Sequence, residues 1–171
     1  MKIKAIVFEF DGVIVRFSEL IKRGAWGFVA NHSDTDLYNA IVLEGIKDLG
    51  VAPEDRRVIR DLSKQYGLYI NSSNLEKEMN DTIFALGLKS YFEGVYGQPR
   101  KKVRNLERIM KMENILPDDV LFISGNDDDF IAAQEFGCHF LGFVNSLNWW
   151  GNKHKTFSLI FNLYDIKNIL A

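Results

Sequence analysis

Residues 5–15 read Ala-Ile-Val-Phe-Glu-Phe-Asp-Gly-Val-Ile-Val, and this stretch decides the fold. From Ile3 to Phe8 the chain is almost wholly apolar, β-branched or aromatic, the composition of a strand covered on both faces. It then delivers two carboxylates, Glu9 and Asp11, one residue apart, followed by Gly12. A buried strand that ends in acids and a turn is the pattern of a parallel sheet whose working groups lie beyond its carboxyl edge.

Further along, strand-like and helix-like segments alternate. Leu20, Ile21, Ala25, Phe28 and Val29 follow helical spacing, as do Leu37, Ile41 and Gly45. Pro53-Glu54-Asp55 reads as the first turn of another helix, with Gly67 as its stop. Short strands are expected at 68–74, running into a polar turn, and at 95–96, 120–123, 140–144 and 157–161, each but the last preceded by a helical pattern. A closing helix is expected over Leu163–Leu170. Such alternation requires crossover connections, hence an α/β fold with a doubly wound parallel sheet.

Composition narrows the partners. The chain has 171 residues, 47% hydrophobic and 26% charged, with net charge −2. That balance offers no electrostatic case for nucleic acid or an anionic membrane as partner. The N-terminus reads as a strand and not a signal peptide, and no apolar run has the length of a membrane span. Cys138 is the single cysteine. It permits no intrachain disulfide, makes a reducing cytoplasm the expected setting, and reads as a packed residue.

Four strand ends would converge in such a sheet: Glu9–Asp11, Asn71–Ser73, Gly97–Lys102 and Ser124–Asp129. Carboxylates, a hydroxyl and a lysine together suit phosphoryl transfer. One acid can attack, a second can move the proton, and the hydroxyl and ammonium can hold phosphate oxygens.

In this order the segments "VFEFDGV", "LYINSSN", "GQPRKK" and "VLFISGNDDDFIAAQEFGC" resemble the four motifs of the haloacid dehalogenase (HAD) superfamily, in its phosphoglycolate phosphatase-like branch. The resemblance runs from residue 2 to about residue 170. It implies a HAD-like Rossmannoid core over 1–16 and 52–171, with a short helical cap insert over 17–51. It implies a Mg²⁺-dependent phosphomonoester hydrolase with Glu9 at the nucleophile position and Asp11 as general acid/base. Ser72 or its neighbour Ser73 would bind phosphate, as would Lys102. The metal would be held by Glu9, Asp11 and Asp129.

Two positions depart from that pattern. The family places aspartate where this chain has Glu9, and a metal-binding aspartate where it has Gly125. One extra methylene displaces a carboxylate by roughly 1.5 Å, and a misplacement of about 1 Å can cost on the order of 100-fold in rate. Gly125 removes an anionic ligand outright. The departures imply weakened activity and weakened or lost Mg²⁺. The alternative is a catalytically inactive scaffold that binds a phosphorylated ligand or a protein partner.

Other residues carry simpler readings. Asp127 and Asp128 are expected to cap a helix, and Ser72, Ser73 and Asn74 could cap the one that follows them. Lys101, Arg100 and Arg104 read as solvated surface. Arg16, Lys22 and Arg23 lie where a lid would face a phosphate, and His32 is an outside candidate for substrate contact. His139 is expected beside a strand and His154 in a loop. Trp149-Trp150 could fill a gap at the sheet edge or form a partner surface. Only about sixty residues separate Asp11 from Ser72, so the insert has room for two helices over an open cleft, one that suits a small or a bulky phosphoester. Oligomeric state is not legible.

Overall fold

The structure is a computed structural model that describes residues 2–30, 34–145, 150 and 156–171. His32, Trp149 and His154 lie outside the described residues. The elements run β1 (Ala5–Phe8), α1 (Ser18–Val29), α2 (Thr35–Leu49), α3 (Pro53–Leu62), β2 (Gly67–Leu75), α4 (Glu76–Ala85), β3 (Gly94–Gln98), α5 (Lys102–Glu113), β4 (Val120–Ser124), α6 (Asp127–Phe136), β5 (His139–Phe143), β6 (Ser158–Ile160) and α7 (Asp165–Leu170). The strands form one six-stranded sheet in the order β3-β2-β1-β4-β5-β6, and every neighbouring pair is parallel.

β1 lies in the middle because its side chains are apolar on both faces. Ile6 and Phe8 pack with α3, α4 and α7 through Ile59, Leu62, Ile83 and Ile166. Ala5 and Val7 pack on the opposite side with α5 and α6 through Leu106, Ile109 and Ala133. The sheet is therefore covered twice, as a doubly wound fold requires. Among the described residues no helix is long and apolar enough to cross a membrane.

Register fixes where the acids emerge. Phe8 stands level with Ile70 of β2 on one side and Ile123 of β4 on the other. Glu9, Asn71 and Ser124 thus leave the sheet side by side. The chain passes from β1 to β2 on one flank and later to β4 on the other, so the crevice opens beyond the end of β1.

Gly67 does not stop α3. The helix ends at Leu62, and Lys64, Gln65 and Tyr66 close turns onto Asp61 and Leu62 carbonyls. Gly67 already belongs to β2, its N–H bonded to Lys4 O at 3.0 Å.

Helices α1 (Ser18–Val29) and α2 (Thr35–Leu49) pack on one another, and α2 also touches α4. The link from β1 into them is anchored by Arg16. Its Nε and Nη2 donate to Asp55 Oδ2 at 3.0 Å and Oδ1 at 2.9 Å. Arg16 is therefore spent on α3 and is not a phosphate contact. Burial raises the Asp55 carboxyl above its ordinary range, and Arg16 opposes that rise. Arg16→Ala leaves a buried acid unpaired. It is expected to cost about 2 kcal/mol, seen as a fall in Tm of roughly 4–8 °C in thermal unfolding.

Candidate active site

The backbone after β1 turns at once. Phe10 O accepts from the N–H groups of Val13, Ile14 and Val15, and Gly12 N donates to Val15 O at 3.0 Å. Gly12 sits at φ +75°, in the left-handed region, and a Cβ there would meet Asn145 Nδ2 at 2.5 Å. This turn holds Glu9 and Asp11 against a cleft of about 540 Å³, lined among others by Ser73, Arg23, Asn126 and Asn145.

Lys102, at the start of α5, reaches under the cleft floor. Its Nζ bonds to Glu9 Oε2 and stands 2.7 Å from Asp129 Oδ2 and 2.6 Å from Asp129 Oδ1. The three side chains are nearly buried, at 13%, 7% and 1% exposure for Lys102, Glu9 and Asp129. Asp129 also accepts from Ser124 Oγ at 2.6 Å, and Glu9 Oε1 from Phe10 N at 2.8 Å. Lys102 is placed by an asparagine relay: Asn105 Nδ2 donates to Asn71 Oδ1 at 2.9 Å, and Asn71 Nδ2 to Lys102 O at 3.0 Å.

Asp11 belongs to a second group. Its Oδ2 accepts from Lys22 of α1 and from Asn74 Nδ2, the latter at 2.7 Å. Lys22 also reaches Asn74 Oδ1 at 3.1 Å. Asp11 Oδ1 is buried with no hydrogen-bond partner. Asn74 is held close by Gly97 of β3, where a Cβ would stand 2.3 Å from Asn74 O. Ser72 is buried and its hydroxyl accepts from the N–H and the side chain of Asn74 at 3.2 Å each. Ser73, the next residue along the strand, lines the cleft.

The structure thus gathers Glu9, Asp11, Ser73, Lys102 and Asp129 at one place, with Ser72 joined to it through Asn74. Several expectations are corrected. None of Ser72, Ser73 or Asn74 caps α4; its N-cap is Leu75, with no side-chain bond, because β2 continues to that residue. The cap of α6 is Asn126, which accepts from Asp128 N at 2.9 Å, and not Asp127 or Asp128. Lys22 contacts Asp11 instead of lying open to a phosphate. Trp150 fills space inside, packing on Phe140 and Phe157 with its Nε1 bonded to Phe143 O at 3.3 Å. His139 is the first residue of β5. Burial pushes the Cys138 thiol up to about 12, which suits an inert packed residue.

Asn145 escaped the sequence reading, Asn74 was read there only as a possible helix cap, and Ser124 and Asn126 only as part of the strand end 124–129.

Burial pushes Glu9 up to about 7 from an ordinary 4.5. Lys102 opposes the rise, and Asp129 and Asp11 add to it. The Lys102 ammonium is itself held above its ordinary range by Glu9 and Asp129, against its burial. Two carboxylates share one ammonium. Between about 4.5 and 7 the folded state keeps a proton that the unfolded chain has released, so this group's stabilising contribution falls as pH rises. Thermal melts across that window should show the decline in the parent chain and a flatter profile in Glu9→Gln.

The residues present do not fit Mg²⁺. The ion takes six oxygens in near-octahedral array. Here both oxygens of Glu9 and of Asp129 already have protein partners, and position 125 offers no side chain. The sole unpartnered oxygen of the three acids is Asp11 Oδ1. Among the described residues, no three His, Cys, Asp or Glu side chains stand close enough to share a metal ion.

Comparison with known proteins bears on this arrangement. A family model described as haloacid dehalogenase-like hydrolase matches residues 29–143. A haloacid dehalogenase-like family hydrolase from Streptococcus pneumoniae superposes with TM-score 0.81 at 18% identity, covering 99% of each chain. A HAD-hydrolase of Bacillus subtilis, solved bound to magnesium, gives 0.75 at 14%, again over 99% of each. A protein described as a predicted phosphoglycolate phosphatase from Haemophilus somnus gives 0.72 at 15%, over 100% of this chain and 99% of its own. At these identities the likeness is one of fold. No functionally curated protein matches the chain.

Proposed function

Since the chain belongs to the haloacid dehalogenase-like hydrolase family, we propose that it hydrolyses phosphomonoesters through a carboxylate nucleophile. The observation that carries this reading is the meeting of Glu9, Asp11 and Ser73 on one open cleft, with Lys102 buried behind them. The relative described as a phosphoglycolate phosphatase points to the same substrate class.

A Glu9 oxygen attacks phosphorus while the bond to the leaving alkoxide breaks, and Asp11 gives that oxygen its proton. The product is an acyl phosphate on Glu9. Water then attacks its phosphorus, passes a proton to Asp11, and releases inorganic phosphate with the carboxylate restored. Lys102 keeps Glu9 in place and balances its charge. Ser73 and the N–H groups beside it hold phosphate oxygens. Attack needs ionised Glu9, so the rate rises with pH through about 7.

The full engagement of the Glu9 and Asp129 oxygens favours a second reading: a pocket that binds a phosphorylated ligand without turnover. One assay separates the two. Purified chain is incubated with a panel of small and bulky phosphomonoesters, and inorganic phosphate is measured. Release above background that Glu9→Gln removes supports hydrolysis. Background release together with a rise in Tm on adding phosphate or a phosphomonoester supports the binding protein.

A further inference from the structure

Hydrolases of this family generally use Mg²⁺, and this site is built differently at the two positions where its sequence departs from them. The two departures meet in space. Glu9 ends on Lys102 Nζ, and Asp129, the other partner of that ammonium, follows Gly125 by four residues on the loop and first turn after β4. An aspartate at position 9 would stop roughly 1.5 Å short of the ammonium. A carboxylate at 125 would add a charge that Lys102 has no capacity to balance.

Both ammoniums are already paired: Lys22 with Asp11 and Glu19, and Lys102 with Glu9 and Asp129. A divalent ion drawn to the Glu9 or Asp129 oxygens would stand against the fixed Lys102 ammonium.

We infer that the Lys102 ammonium is the resident cation of this site in place of a divalent metal, and that Glu9 and Gly125 are paired substitutions that make this arrangement. The longer acid reaches the lysine, and the missing acid removes the need for a second cation. Ser124 and Asn126 complete the loop around Gly125: Ser124 Oγ donates to Asp129 and accepts from Asn126 N at 3.2 Å. The inference concerns cation binding alone and holds whether or not phosphate is released.

The test is thermal unfolding of chelator-treated protein titrated with MgCl₂ or MnCl₂ at constant ionic strength. Four chains are compared: the parent, Gly125→Asp, Glu9→Asp, and Glu9→Asp with Gly125→Asp. A divalent ion at a hundredfold excess over its Kd raises Tm by roughly 5–10 °C in a chain of this size. The parent is expected to move by less than about 1 °C at 10 mM on that scale. The double variant is expected to gain several degrees, and each single variant far less. A parent that gains 5 °C overturns the inference. So does a Gly125→Asp chain that gains as much as the double variant, because Glu9 would then not be what keeps the metal out. If the double variant fails to fold, the parent titration decides alone.

Discussion

Lys102→Met is expected to lower the melting temperature by about 10 °C at pH 8. The substitution keeps the aliphatic stem and removes the ammonium. Glu9 and Asp129, 7% and 1% exposed at their side chains, then lie together with no cation between them. Breaking a buried ion pair from one side costs about 3–5 kcal/mol, and each kcal/mol is worth roughly 2–4 °C in a chain of this length. The loss should depend on pH. Without Lys102, which opposes the effect of burial on Glu9, that acid holds its proton more tightly when folded, so stability falls as pH rises through the carboxylate range and above. Melts at pH 5 and pH 8 should therefore show a smaller gap between parent and variant at pH 5. Adding Glu9→Gln to Lys102→Met should recover part of the loss, since one of the stranded charges is gone. A Lys102→Met chain within 2 °C of the parent at pH 8 would show that the triad carries no weight.

Asp11→Asn is expected to reduce phosphate release by at least about 100-fold, the lower end of what a positioned proton donor contributes. The amide keeps the side-chain shape and can still accept from Lys22 and Asn74, so the fold should persist. What it loses is the proton. Asp11 Oδ1 is the one oxygen of the site's three acids without a partner, which is the position a transferable proton needs. Initial rates with a phosphomonoester, together with the far-UV spectrum and Tm, separate a chemical loss from a structural one. Undiminished release from the folded variant would place the chemistry elsewhere. In the binding reading there is no release to lose, and Asp11→Asn instead changes the Tm rise produced by phosphate.

Much of the fold was legible because strand and helix impose different periods on apolar residues. The run Ile3–Phe8 is apolar at every position, so it had to lie between two covering layers. Helix boundaries were less legible. Gly67 looks like a stop, yet its N–H is taken by Lys4 O in the sheet, a contact sixty-odd residues away in sequence that no local pattern carries. Nor does local pattern show that β2 runs on to Leu75 and leaves Ser72 and Ser73 facing different surroundings.

The sequence by itself determined the layered architecture, the edge of the sheet where chemistry gathers, and the two odd positions, Glu9 and Gly125, because these follow from residue type and strand direction. Only the tertiary structure decided who partners whom. Lys22 proved to hold Asp11, Arg16 proved to hold Asp55, and Lys102 joined Glu9 to Asp129 across 93 and 27 residues of chain. The reason is physical. A lysine or an acid carries the same charge wherever it stands, and its role is set by the few ångströms to its neighbours, which exist only once the chain has closed on itself.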